Sequence, residues 1–333
     1  MEKGLFRKMI VLWLFVLVWT YPFAATYGAE KPWPKGISIA SSTVGGMYYI
    51  WAGGWAKLLI NKLNINASVE STGGPSQNIG LVESGKSDFG LVTVGPAFEA
   101  IQGIEWAKGK KHENIRAIFP TYPSYLQTYT LAKYPIKNFR DLTGQIVSFT
   151  GAGSSPDVFG RRFFKDLEIN PRRIVNVGVG EGNDQMKDGL IHAAFMVAGL
   201  PNPPAVELSA TFDIRIIGFD KKDMETLMAR YPYFAIGSIP AGTYKGQDKP
   251  IDTLTIWNAV IAHKDLPADF VYSIVKATFE NQEALVAIHK SSVDTVPVNI
   301  KNINLPLHVG ALRYYKEKGI GIPEKGIPPE YRP

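Results

Sequence analysis

The sequence predicts an α/β protein of two lobes, each a mixed, mainly parallel sheet flanked by helices. Three observations carry that prediction. Short strand-like runs alternate with segments of helical periodicity, and a glycine-rich loop repeatedly separates strand from helix. The chain has 333 residues, 45% of them apolar, which is enough for two moderate cores.

Taken in order, the first thirty residues stand apart from the fold. Lys3, Arg7 and Lys8 precede an unbroken apolar run at 9–19, and small residues follow at 24–29. A basic start, a short apolar run and small residues behind it mark a secretory signal peptide. The run is shorter than the roughly 20 residues that a membrane-spanning helix needs. Residues 1–29 are therefore expected to direct export, and no later segment is long and apolar enough to span a membrane.

After a Pro/Trp-rich lead-in, residues 37–40 alternate as a first strand. A Ser/Thr/Gly loop at 41–46 then opens a helix whose apolar positions are Trp51, Trp55, Leu58, Leu59 and Leu63. Ile65, Ala67 and Val69 alternate as a second strand. Gly73 and Gly74 punctuate, and Pro75 suits the first turn of a helix that ends at Gly85. Residues 89–92 form a third strand. The pattern resumes with a strand at 145–149, a loop at 150–155 and a helix from Pro156. A strand at 174–177, a helix near 184–188 and a strand at 193–197 follow. Residues 122–131 read as a crossing between lobes, and a second crossing is expected near 233–240. Strand-like sequence at 254–262 precedes helices from Pro267 and over 306–318. Lobe I is thus expected to comprise 30–127 and 236–333, with lobe II, 128–235, inserted.

Several chemistries are excluded. The chain has no cysteine, so disulfides, thiolate metal sites and cysteine nucleophiles are absent. The histidines, His112, His192, His263, His289 and His308, show no metal-ligand spacing, and no metal or cofactor is expected. The segment from Gly151 to Ser155 lacks nucleophile-elbow spacing because Pro156 and Asp157 follow, and no phosphate-binding P-loop occurs. No catalytic residue is therefore assigned. The net charge of +6 is spread along the chain, with one tight run at 108–111, so a nucleic-acid partner is not expected.

The loops at 41–46, 71–74 and 151–155 share a form: hydroxyl residues and glycines at the end of a strand, just before a helix. Exposed N–H groups at helix N-termini attract anions, and ligands of open α/β sheets sit beyond the strand ends. Tyr48 and Tyr49 follow the first loop, one suited to a ligand and the other to the core. No arginine clamp lies in these loops. Arg161 and Arg162 fall a turn into the following helix, where surface or interlobe roles are expected.

Four segments in this order resemble the TAXI family of solute receptors that serve TRAP transporters. They are Gly45-Gly-Met-Tyr-Tyr49 within 39–54, Glu70-Ser-Thr-Gly-Gly-Pro-Ser-Gln-Asn78 leading into Glu83-Ser-Gly-Lys-Ser-Asp-Phe-Gly-Leu-Val92, Asp141-Leu-Thr-Gly144, and Ala193-Ala-Phe-Met-Val-Ala-Gly-Leu-Pro-Asn-Pro203. The resemblance implies a monomeric periplasmic receptor with the type II binding-protein fold. Such a receptor closes on a carboxylate and delivers it to a TRAP permease in the membrane. By position, it implies ligand contacts from Thr43, Met47 and Tyr48, from Thr72, Gly73 and Asn78, from Thr93, from Ser154 and Ser155, and from Ala198 and Gly199. Three departures stand out: Met47 where the family commonly has serine or threonine, Pro75 in place of serine, and Thr93-Val-Gly-Pro96 in place of a more polar segment. Each removes a hydroxyl or a donor, and an unmatched buried polar group costs about 1–3 kcal/mol. A carboxylate less polar than the family's glutamate-like ligands is expected. The rival readings are a receptor that docks a membrane signalling protein, and an enzyme on the same scaffold.

Overall fold

The computed structural model describes residues 32–332, so the signal-peptide reading at 1–29 lies outside the described residues. The chain opens with β1 (Gly36–Ala40), α1 (Met47–Leu63), β2 (Asn66–Glu70), α2 (Pro75–Glu83), β3 (Phe89–Thr93) and α3 (Val94–Gln102). The three strands pair in parallel, with Ile39 beside both Val69 and Phe89. Helix α1 follows the predicted stripe: Trp51, Trp55, Leu58 and Leu59 are buried, and both indole N–H groups find partners. Trp51 donates to Ser292 Oγ at 3.0 Å and Trp55 to Thr278 Oγ1 at 2.9 Å. The helix stops at Asn64, whose left-handed conformation asparagine tolerates well. Strand β3, interior to the sheet and paired in parallel with β1 and antiparallel with residues 258–262, is buried along its whole length, and its sequence is correspondingly apolar. Helix α3 has no counterpart in the sequence reading. It starts directly after β3, and Pro96 is accommodated because the first turn of a helix needs no donor there.

Next comes β4 (Ile115–Leu131), followed by β5 (Ile146–Phe149), α4 (Ser155–Asp166), β6 (Arg173–Asn176), α5 (Val179–Lys187), β7 (Ala193–Ala198), α6 (Pro203–Thr211), β8 (Ile214–Ile217), α7 (Lys221–Arg230) and β9 (Ala235–Ile239). The chain finishes with β10 (Ile251–His263), α8 (Ala268–Phe279), α9 (Gln282–Ile288) and α10 (Val309–Glu317). All ten strands among the described residues join one sheet, whose main path runs β2-β1-β3-β10-β4-β7-β5-β6.

Two long strands organise that sheet. β4 has 17 residues, about three times the usual strand length. Its first part, from Ile115, pairs antiparallel with β10, while Tyr125–Thr130 pairs with β7 and Thr128–Leu131 with β8. β10 is used in the same way: 251–255 pair with β9, and 258–262 with β3. One half of the sheet is therefore β2-β1-β3 with the outer parts of β10 and β4. The other is β7-β5-β6 with β8, β9 and the inner parts of the same two strands. Register shifts in β10 near Trp257–Ala259 and Val260–Ile261 mark bulges, which bend the sheet there. The stretch at 233–240 holds β9, a short and largely exposed edge strand paired with β10. Among the described residues, no helix is long and apolar enough to cross a membrane.

Candidate ligand-binding site

The loops after β1, β2, β5 and β6 meet in one cavity of about 50 Å³. Helices begin at its wall: Gly46 and Met47 open α1, Gly74 and Pro75 open α2, Ser154 and Ser155 open α4, and Val179 opens α5. Four helix N-termini therefore point their partial positive charge at one small volume. Hydroxyls of Ser42, Thr43, Thr150, Ser154 and Ser155 supply polar atoms, and Pro156, Met196, Val197 and Ala198 supply apolar wall. No charged side chain lines the cavity.

Of the residues singled out from sequence, Thr43, Met47, Tyr48, Ser154, Ser155 and Ala198 line this cavity. Tyr48 offers its ring rather than its hydroxyl, which donates inward to Asn258 Oδ1 at 2.5 Å. Asn258 in turn donates to Tyr122 O and Ser124 Oγ, so its amide is saturated. Burial, reinforced by the neighbouring Tyr122, pushes the Tyr48 hydroxyl well above its ordinary pKa and keeps it neutral. Ser154 Oγ accepts from Asp157 N at 3.2 Å and from Thr150 Oγ1 at 2.9 Å, which caps α4 and orients both hydroxyls.

The other five stand behind or beside the wall. Asn78 is fully buried, and its amide donates at 2.7 Å to both Ser41 O and Leu91 O while accepting from Thr72 Oγ1. Thr72 also accepts from Gly74 N at 3.1 Å. These two side chains tie the loops after β1 and β2 to strand β3. Gly73 and Gly74 make a close approach instead: an added Cβ would lie 2.5 Å from Ala152 O at Gly73 and 2.9 Å from Ser154 Cα at Gly74. Gly74 also has φ +121°, a conformation other residues avoid. Thr93 Oγ1 lies 3.1 Å from Ser155 Oγ, joining the end of β3 to the start of α4. Gly199 packs against Ser291 and Tyr122, where an added Cβ would come within 2.8 Å of Ser291 Oγ.

The sequence reading missed Asn258 and Val179. A lone amide in the apolar run 254–262 was the signal for Asn258. Gly178 and Gly180 around Val179 repeat the strand–glycine–helix form of the other three loops.

Away from the cavity, a buried ion pair links the two halves of the sheet. Arg162 on α4 grips Glu99 on α3 through Nη1–Oε1 at 2.5 Å and Nη2–Oε2 at 3.0 Å, and Tyr233 donates to Glu99 Oε1 at 2.6 Å. Burial opposes charge on Arg162, but the hydrogen bonds and the charge of Glu99 outweigh it and hold the guanidinium protonated. Neither arginine reaches the cavity: Arg161 is committed to Asp157 and Asn176.

Residues 39–319 match the NMT1-like family. Among solved structures, the chain is similar to one described as a periplasmic transporter, with 15% identity over 77% of this chain and 87% of that one and a TM-score of 0.53. It is similar to the periplasmic binding protein BugD at 14% identity, over 87% of this chain and 100% of that one, also with a TM-score of 0.53. At these identities the likeness establishes a common architecture, the type II periplasmic binding-protein fold. With most of its length matched, the chain belongs to the NMT1-like family.

Proposed function

We propose that the protein is an exported, periplasmic solute receptor that binds a small organic acid between two lobes and does not turn it over. The observation that carries this reading is the convergence of four helix N-termini on a cavity without a charged side chain. Each such terminus stabilises a nearby anion by roughly 0.3–2 kcal/mol. Together they exceed the roughly 1 kcal/mol of a single neutral hydrogen bond, and they oppose a cation. Thr43, Met47, Tyr48, Ser154, Ser155 and Ala198 would touch the ligand. Thr72, Asn78 and Thr93 would hold the loops in place, and Gly73 and Gly199 would let neighbouring chain approach. The ligand would favour the closed arrangement by bridging loops from both lobes, and the closed form would be what a membrane partner senses.

The four segments that resemble TAXI receptors support delivery to a TRAP permease driven by an ion gradient. Uptake into vesicles carrying the cognate permease, powered by an ion gradient and independent of ATP, is the expected result. ATP-driven uptake would assign an ABC-type partner instead. The binding reading is tested by calorimetry with monocarboxylates, dicarboxylates and inorganic phosphate, beside native mass spectrometry of the purified protein. Monocarboxylates are expected to bind and to be recovered unchanged. Preference for a dicarboxylate or phosphate would overturn the ligand class, and a converted product would overturn the non-enzymatic reading.

A further inference from the structure

We propose that the ligand is amphipathic, with its carboxylate in the inner cavity and a hydrocarbon tail in the wider mouth beside it. This rests on the carboxylate reading above. The inner cavity, at about 50 Å³, has room for about four water-sized groups, which accommodates a carboxylate and its first carbon and little more. Directly next to it lies a space of about 520 Å³. The two adjoin: Val179 lines both, and Gly45 of the mouth is followed in the chain by Gly46 of the cavity.

The mouth is more apolar than the cavity. Its apolar wall is Ile50 from α1 with Val179, Pro201, Pro203, Pro204 and Val206, together with Gly45 and Gly180. The prolines carry no backbone N–H, so this part of the wall has no donor with which to hold a second polar group. Val206 is 41% exposed, an apolar side chain left uncovered beside other apolar surface.

Two polar side chains border the mouth, and neither recruits an anion. His289 Nε2 lies 3.0 Å from Pro201 O, which can only accept, so that nitrogen carries the proton. Nδ1 accepts from Ser291 N at 3.2 Å. Both nitrogens are thus used by a neutral ring, and burial lowers its pKa further from protonation. Glu207 is acidic and repels a second carboxylate. A dicarboxylate placed with one end among the helix N-termini would put its other end against this wall. A monocarboxylate with an apolar tail puts hydrocarbon there.

The experiment is calorimetric titration of the protein with linear monocarboxylates from acetate to octanoate and with phenyl-substituted ones of increasing length, repeated on Val206→Asp. Affinity is expected to rise roughly fourfold for each methylene that enters the mouth. Val206→Asp is expected to flatten that rise and to weaken octanoate binding at least tenfold. Equal affinity across both series would overturn the tail site while leaving the carboxylate cavity standing. Absence of binding by every carboxylate would overturn the cavity reading and this inference with it.

Discussion

Asn78 shows how one side chain can shape a cavity without lining it. Its two amide protons satisfy the carbonyls of Ser41 and Leu91, and its oxygen receives the Thr72 hydroxyl. Asn78→Ala strands these groups in the interior, so a loss of about 3 kcal/mol is expected in urea unfolding. Asn78→Asp should be worse, because a carboxylate presents acceptors to two carbonyls; equal stability of wild type and Asp variant would contradict this account. Met47 is a different case. It lines the cavity and is nearly buried, so its thioether occupies space that a hydroxyl could use. Met47→Ser is expected to shift preference toward dicarboxylates in competition titrations. An unchanged ratio would mean that Met47 serves packing alone.

At the scale of elements, the helix caps decide how the ends behave. α10 is capped by His308, whose Nδ1 accepts from Gly310 N at 3.1 Å, and this role requires an unprotonated nitrogen. Burial pushes the His308 pKa down to about 4, opposed in part by backbone contacts at Leu266 and Lys264 and by the charge of Glu330, and assisted by that of Arg116. The unfolded chain, with an ordinary value near 6.5, binds the proton more readily than the folded one. The stability His308 contributes is therefore complete above about pH 6.5 and falls away as pH drops toward 4, by about 3 kcal/mol in all. His308→Asn keeps a capping acceptor and removes the titration, so its unfolding free energy should lose this part of the pH slope. A slope identical to that of the wild type would assign the effect to another group. The missed α3 belongs to the same scale. The segment 94–102 has a glycine and a proline in its first turn, and these two poor helix formers mask it in the sequence.

For the whole molecule, the question is what holds the two halves together. Loop against loop at Gly73–Ala152 and Gly74–Ser154, the Thr93–Ser155 contact and the Arg162–Glu99 pair all cross between halves. Glu99 is 1% exposed, so removing its partner leaves a buried charge, which ordinarily costs 3–5 kcal/mol. Separation of the halves would let water reach that charge and relieve the cost. Arg162→Met is therefore expected to weaken ligand binding and enlarge the radius of gyration in X-ray scattering more than it lowers the unfolding midpoint. Replacing both partners, Glu99→Leu with Arg162→Met, should recover much of the affinity. If the double variant binds no better than the single one, the pair is not acting on closure.

The sequence alone determined the parts whose causes are local. Alternation of strand and helix, the proline and glycine punctuation, and the hydroxyl-bearing loops at strand ends follow from periodicity and turn chemistry within a dozen residues. The same form made three loops candidates for one site; the loop around Val179 shares that form but went unread. Only the tertiary structure decided which polar groups remain available there. Tyr48 gives its hydroxyl to Asn258, 210 residues away, and Arg162 spends its charge on Glu99, 63 residues away. A hydroxyl or guanidinium reads the same in sequence whether it is spent or free. Its partner is set by how two distant strands and helices pack, and a buried polar group takes whichever partner that packing brings within 3 Å.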